Sequence, residues 1–447
     1  MNRTRIEAIG SAARKCSVLA AGIFLAAGAT GGETVRLSLK EAVDRALSEG
    51  TAARIASEQI DRARYQARQA ASAMLPQVGV EAGVVNQSVN LEAFGLTIPG
   101  FPTVIPPFTF FDAHAKIALD VIDLAAWKRW QAARTGVAVS QAERDRTVNE
   151  VAAAVATLYV ALHSAESTVE AARANVDLFR KLRDLAVDQR QAGVATRLDS
   201  TRAEVALARQ QQALFVAENR RETGRLALLH AIGSDQSAEV VLTDPLDDRN
   251  EAAPEPEEAL RTARENRAEL KEIGERLRAE GFTVEAERAE HLPRLGMQYQ
   301  GGYSGFHFDD LFWTRSVSAL LSIPVFTGER TASRVAEARS RERELRLQEI
   351  ETERQIEEEV RRALLNWANA RNRVEVAVEN EKLAREELEF ARDRFAEGVS
   401  SSIEVDNAQN SLVAAQQDRI AALADSAQAR FDLGRATGRI RGWIASP

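Results

Sequence analysis

Two periods alternate along the chain. Residues 77–84, Gln-Val-Gly-Val-Glu-Ala-Gly-Val, put apolar side chains at even positions and Gln, Gly or Glu at odd ones, the signature of a strand with two unlike faces. Phe111, Ala113, Ala115, Ile117, Leu119 and Val121 oppose Asp112, His114, Lys116 and Asp120 in the same way. Leu295, Met297, Tyr299 and Tyr303 oppose Gln298, Gln300 and Ser304, and Val317, Ala319, Leu321, Ile323 and Val325 oppose Thr314, Ser316, Ser318 and Ser322. Elsewhere apolar positions recur at spacings of three and four, as in Leu158, Leu162, Ala165, Val169, Ala172, Val176 and Phe179, which predicts helix. From Lys128 to Gln191 there is no proline and one glycine, Gly136, and an unbroken helix of that length spans about 100 Å. Residues 330–397 repeat this pattern. The segments 197–231 and 402–436 are about half as long, and 39–74 and 257–292 fill the missing halves. Each long helix is therefore expected to pair with two shorter ones stacked end to end.

The order of these elements is duplicated. Glu41-Ala42-Val43 matches Glu258-Ala259-Leu260 and Leu75-Pro76 matches Leu292-Pro293, both at an offset of 217 (258 − 41; 293 − 76). Gly193-Val194 and Gly398-Val399, Gln211-Gln212 and Gln416-Gln417, and Gly233 and Gly438 match at an offset of 205 (398 − 193; 416 − 211; 438 − 233). The shortening places a net insertion in the first half, within Leu91 to Pro107. That segment holds Phe94, Leu96, Ile98 and Phe101 among four prolines, so it packs across a mouth, packs against a neighbour, or stays disordered. Pro245, Pro254, Pro256 and five acidic residues mark a linker between the halves. The expected division is a leader at 1–29, a first repeat at 30–243 with strands near 77–90 and 109–122, a linker at 244–256, and a second repeat at 257–447 with strands near 294–305 and 313–325.

The strands fit lipid on one side and water on the other. Each is about ten residues long, which suffices for a tilted strand to cross a bilayer, and Phe108, Phe110, Phe111, Tyr303, Phe312 and Trp313 gather at their ends. Arg315 falls on the apolar side, which only an interfacial depth tolerates. Four strands cannot close a barrel, since roughly eight are needed, and open edges in lipid leave backbone groups unpaired. Strands that enter a membrane here require oligomerisation: two chains supply eight strands, three supply twelve.

Composition narrows the function classes. Aromatic residues make up only 6% of a chain that is 45% hydrophobic, thin for large globular cores. The net charge of −8 is spread along the chain, so neither nucleic acid nor anionic lipid is an obvious partner. No run of eighteen apolar residues follows residue 30, which argues against a helical membrane protein. Arg3, Arg5, Arg14 and Lys15, then an apolar stretch from Val18 to Ala27 and the small residues Ala27-Gly28-Ala29, predict a secretory signal peptide cut near Ala29. The single cysteine, Cys16, precedes the apolar stretch, so the mature chain is expected to carry neither lipid anchor nor disulfide. The five histidines are scattered, with no HExxH or phosphate-loop pattern. No catalytic residue, metal or cofactor is expected. A secreted coiled-coil scaffold or adhesin is the alternative to a membrane oligomer.

The two turns between helices carry the remaining candidate chemistry. Gly193 ends one helix and Thr196 can cap the next, with Asp199 three residues on; Gly398-Val399-Ser400-Ser401 leads to Glu404 with the same logic. Asp199 and Glu404 then stabilise helix starts by about 1 kcal/mol each. They also fit a second role, in which symmetry brings copies of Asp199, Glu404 and Asp406 into rings that attract cations at an aperture.

The paired Leu-Pro helix ends, Pro324-Val325-Phe326-Thr327-Gly328 after a strand and the Gly-Val turns together closely resemble the TolC-like outer-membrane efflux protein family across nearly all of the mature chain. The first half departs at Asp120-Val121-Ile122-Asp123-Leu124, which lacks that proline and glycine. The resemblance implies a mainly α fold with a small β part, two tandem repeats that each hold a transmembrane β-hairpin and a long periplasmic helical hairpin, and a homotrimer with a twelve-stranded barrel. It implies docking to a periplasmic adaptor (a membrane fusion protein) and an inner-membrane transporter of RND, ABC or MFS type, with release of drugs, metal ions or polypeptides. Gly193, Val194, Gly398, Val399 and Ser400 match the tip region and become adaptor-contact candidates; Glu404 matches an acidic aperture position. The tyrosine common before that second turn is Phe395 here.

Overall fold

The computed structural model describes residues 34–245, 254–397, 399 and 402–445. The expected leader with Cys16, most of the expected linker, and Gly398 and Ser400 lie outside the described residues. The first repeat runs β1 (Thr34–Leu37), α1 (Leu39–Glu49), α2 (Thr51–Ser72), β2 (Gln77–Asn90), β3 (Val104–Ile122), α3 (Leu124–Gln191), α4 (Arg197–Ile232) and β4 (Glu239–Leu242). The second runs α5 (Pro256–Asn266), α6 (Ala268–Ala289), β5 (Arg294–Gly305), β6 (Phe312–Ser322), α7 (Arg330–Ala396), α8 (Ser402–Ala436) and α9 (Ile440–Ala445).

The long helices α3 and α7, 68 and 67 residues, each extend about 100 Å. Asp123 starts α3 by accepting the Ala126 N–H at 2.8 Å. Along its length α3 packs against α2 and α4 of its own repeat and against α6 and α8 of the other. Small buried residues, among them Ala152, Ala156, Ala286 and Ala408, let these helices approach closely. Ion pairs add a tie between the repeats: Arg276 of α6 reaches Glu143 of α3 at 2.8 Å and Glu272 at 2.6 Å, and Arg146 of α3 reaches Glu272 at 3.2 Å. Among the described residues α3 alone contains an 18-residue window apolar enough to cross a bilayer, with mean hydropathy 1.2. Packing against the other helices buries 39% of that window.

The helices expected at 39–74 and 257–292 are each broken once. Gly50 (φ −64°, ψ 138°) separates α1 from α2, and Arg267 (φ −65°, ψ 123°) separates α5 from α6. The two breaks are equivalent (267 − 50 = 217), and no proline announces either. At Gly50 a Cβ would lie 2.1 Å from the Ala46 carbonyl oxygen. The buried Arg267 turns into the helix interface instead, donating to Glu269 at 2.9 Å, Glu359 at 2.8 Å and the Ala436 carbonyl at 3.3 Å.

These breaks lie in a belt where the shorter helices meet: the end of α4 at Gly233 touches Glu49, and the end of α8 at Gly438 touches Asn266. The belt holds three elements that periodicity did not reveal, the parallel pair β1–β4 and α9. Leu37, Val155, Leu228, Leu229 and Ile232 form its aliphatic core. Tyr159 donates from its hydroxyl to the Leu37 carbonyl at 3.0 Å and accepts the Asp244 N–H at 3.3 Å, and burial pushes its phenol up to about 12. In the second repeat, Val360, Trp367 and Leu433 are the matching core, with Trp443 of α9 edge-on to Trp367 at 5.7 Å. Between these two cores lies a cavity of about 390 Å³, lined in part by Tyr159, His163, Trp367 and Trp443.

Candidate functional site: a two-faced sheet and two helical tips

The hairpins of the two repeats join into one antiparallel sheet in the order β2-β3-β5-β6. Its register aligns the two faces across all four strands. Val80, Ala115, Gly301 and Arg315 form one row, and Val78, Ile117, Tyr299 and Val317 the next. The opposite face pairs Glu81 with His114 and Gly302, and Gln298 with Ala118 and Ser318. One face is thus apolar and the other polar, and the apolar side chains stay open, with Val78 70%, Val80 78% and Val317 68% exposed. Arg315 sits on the apolar face two residues from the Tyr303–Trp313 pair, near the end distal to the helices. β3 reaches back to Val104, so part of the inserted segment is strand; the rest holds a short helical turn at Glu92–Phe94. β2 and β6 each pair on one side only, so the sheet ends in two unpaired edges.

At the opposite end of the molecule the helices turn back. Gly193 takes the left-handed conformation (φ 76°) that closes a helix without Cβ strain, and the Val194 N–H returns to the Gln189 carbonyl at 3.0 Å. Thr196 and Asp199 form a reciprocal capping box at the start of α4. The Val399 N–H reaches the Arg394 carbonyl at 2.9 Å, the same bond one repeat later (394 − 189 = 205). Val194 (77%) and Val399 (66%) are the most exposed apolar residues of the two tips, followed by Leu198 and Ile403.

The three candidate carboxylates do not converge within one chain. Asp199 and Asp406 line the same small cavity, of about 30 Å³, between α3, α4, α7 and α8. Arg202 is 3.9 Å from Asp199. Burial raises the Asp406 pKa, an effect that Arg202 opposes and Asp199 reinforces. Glu404 turns away to Arg394 at 3.9 Å and stays half exposed. Phe395 lines the Asp199–Asp406 cavity with its ring, so at that position the contact is apolar. Arg202 was not among the expected site residues; its spacing of three from Asp199 on a helix is the signal that could have found it. Among the described residues no cluster of His, Cys, Asp and Glu has a metal-binding arrangement.

A family model for outer membrane efflux proteins matches residues 42–234 and 259–439, one match per repeat. The chain belongs to the outer membrane efflux protein family. A curated member, outer membrane efflux protein BepC of Brucella suis biovar 1 (strain 1330), is 26% identical over 285 residues, which are 61% of this chain and 56% of that protein. The alignment thus spans little more than half the length of this relative. The family's fold extends over nearly the whole chain. The Vibrio cholerae outer membrane protein VceC superposes with a TM-score of 0.77 at 19% identity, covering 90% of this chain and 96% of that one. The Campylobacter jejuni CmeC outer membrane channel gives 0.78 at 18% identity, covering 90% and 86%.

Proposed function

We propose that this family member is one subunit of a homotrimeric exit duct, with its sheet in the outer membrane and its helices in the periplasm. The observation that carries the reading is the open sheet: one face is apolar, the other polar, and both edges are free. In lipid, backbone groups at those edges need partners, and a second and third copy supply them by joining β6 of one chain to β2 of the next. Twelve strands then close a barrel wide enough for a lumen, and the helices continue it by about 100 Å. The named relatives, an efflux protein and a channel, agree with this reading. In it the leader at 1–29 is cleaved, the mature chain is not lipidated, and the repeats occupy 30–243 and 257–447 around a linker at 244–256.

The tips are then the end that receives cargo from a periplasmic adaptor and an inner-membrane transporter of RND, ABC or MFS type. Exposed Val194 and Val399, with Gly193, Gly398 and Ser400, are the proposed adaptor contacts, and Asp199, Glu404 and Asp406 the proposed aperture carboxylates. The decisive experiment extracts the full chain from outer membranes and reconstitutes it in planar bilayers. A heat-modifiable trimer with discrete cation-preferring conductance is expected. A protein released by high salt without detergent, or one that gives no conductance, rejects the duct. Neutralising Asp199, Glu404 and Asp406 together is expected to reduce cation preference; an unchanged preference leaves Asp199 its capping role alone.

A further inference from the structure

The polar face of the sheet changes character along its length. Toward the helices it carries Asp120, Lys116 and Gln300, and His114 lies between Glu81 (3.4 Å) and Asp112 (3.0 Å). One step further along β3, the same face presents Phe110 opposite Val85, then Phe108 opposite Gln87, while Phe312 on β6 lies opposite Ser304. Phe306 follows Ser304 at the strand period, and its ring is 5.5 Å from Phe108, which is 5.9 Å from Phe110. Phe306 and Phe312 remain 58% and 65% exposed.

A different aromatic set belongs to the apolar face. Phe111 stacks on Phe308 at 4.1 Å and Tyr303 meets Trp313 at 5.1 Å, the position of an interfacial girdle. The register excludes Phe108, Phe110 and Phe312 from that girdle, because each pairs within the polar rows. A membrane barrel's interior is ordinarily polar, so exposed phenylalanines on this side depart from what folding or insertion requires.

We propose that Phe108, Phe110, Phe306 and Phe312 form an apolar collar on the lumenal side of the outer mouth, repeated in every copy, that binds aryl or alkyl groups of departing cargo. This deepens the duct reading and rests on it. The rings offer faces and edges for offset or edge-on contacts and no hydrogen-bonding groups, so the collar selects by apolar surface. The carboxylates of Asp112, next on this face of β3, and Glu81, opposite His114, lie immediately below and act on charge. A cation with an aromatic group engages both zones in sequence.

The full-length trimer in planar bilayers provides the test, with benzyltrimethylammonium and tetramethylammonium as blockers of equal charge added on the outer side. Benzyltrimethylammonium is expected to block the wild-type current at lower concentration than tetramethylammonium. Phe108→Ser with Phe312→Ser is expected to weaken the benzyltrimethylammonium block about fivefold, the scale of one lost aromatic contact, and to leave the tetramethylammonium block unchanged. Phe108→Leu with Phe312→Leu keeps apolar surface and is expected to stay within about twofold of wild type. Should the double serine variant fail to assemble, Phe306→Ser, which lies outside the strands, is expected to weaken the benzyl-specific block by about twofold or more. Equal benzyltrimethylammonium block in the wild type and the assembled serine variants overturns the collar while the duct stands. Absence of any wild-type conductance overturns the duct itself, and the collar with it.

Discussion

The two repeats fill the same belt by different packing. Leu229 of α4 is fully buried in the first repeat's core. Its equivalent in α8 is Gly434 (434 − 229 = 205), where a Cβ would lie 3.2 Å from Trp443 Cγ and 3.3 Å from Ile440 Cα. A second pair differs in the same sense. Leu162 packs against the backbone position of Gly224, whereas its equivalent Trp367 (367 − 162 = 205) meets Trp443 edge-on. At these two positions the first repeat fills the belt with its own leucines, while Phe431 of α8 and Ile440 of α9 complete its core. The second leaves room in its helix, and α9 inserts a tryptophan there. What duplication retained is the backbone course and the filled volume, not the residue that supplies the volume.

The largest effect that tests this contrast is loss of the buried indole. Trp367→Ala is expected to destabilise by about 3–5 kcal/mol and Leu162→Ala by about 2–5 kcal/mol. The tryptophan variant should lie at the upper end of its range, because Trp443 loses its ring partner too. Thermal midpoints of the detergent-solubilised oligomer measure both. A smaller loss for Trp367→Ala than for Leu162→Ala breaks the comparison, since it makes the aliphatic belt the more tightly packed.

A second, smaller effect sharpens it. Gly434→Leu installs the first repeat's solution without removing the second's, and overpacking of this kind costs about 1–3 kcal/mol. Adding Trp443→Ala to Gly434→Leu is expected to recover part of that loss, so the double variant should be more stable than the sum of the singles implies. Strict additivity in midpoint shifts would show that Gly434 and Trp443 do not share one space.

This belt also marks how far the sequence is legible. The long helices and two-faced strands are readable because periods of 3.6 and two are local properties, as are the breakers Gly193 and Pro76. The break at Gly50 is not, because glycine inside a helical pattern is tolerated; its meaning lies in the approach of the Ala46 carbonyl. Arg267 reads as one more exposed basic residue until Glu359, 92 positions away, is placed beside it. Strands of four residues such as β1 and β4 are too short for alternation to register. At the tip, the Thr196–Asp199 cap follows from a spacing of three, whereas the meeting of Asp199 with Asp406 depends on how α4 and α8 of different repeats pack. Phe108, Phe110 and Phe312 are legible as aromatic strand ends, whereas Phe306, just past the end of β5, is not, and only the register separates Phe108 and Phe312 from the girdle.

The smallest effect concerns that tip and carries the comparison to its far end. Asp406 corresponds to Thr201 (406 − 205 = 201), whose hydroxyl donates to the Arg197 carbonyl at 3.0 Å and carries no charge. The Asp406 carboxyl is raised above its ordinary 3.8 by burial, with Asp199 adding to the shift and Arg202 opposing it. A carboxyl raised in the folded state is easier to protonate there than in the unfolded chain. Its penalty is therefore absent below about 3.8 and grows as pH rises through the folded value. Acidification across that window should tighten the packing of α4 on α8, beside the cavity shared by Ala203 and Asp406. Amide exchange at Ala203 and Ala206, corrected for intrinsic rates, is expected to be slower near about pH 4 than near about pH 7. Asp406→Thr, which gives the second repeat the first repeat's residue, should remove the difference. If the pH dependence survives that substitution, Asp406 is not its source, and the two tips differ in sequence without this residue setting their response to protons.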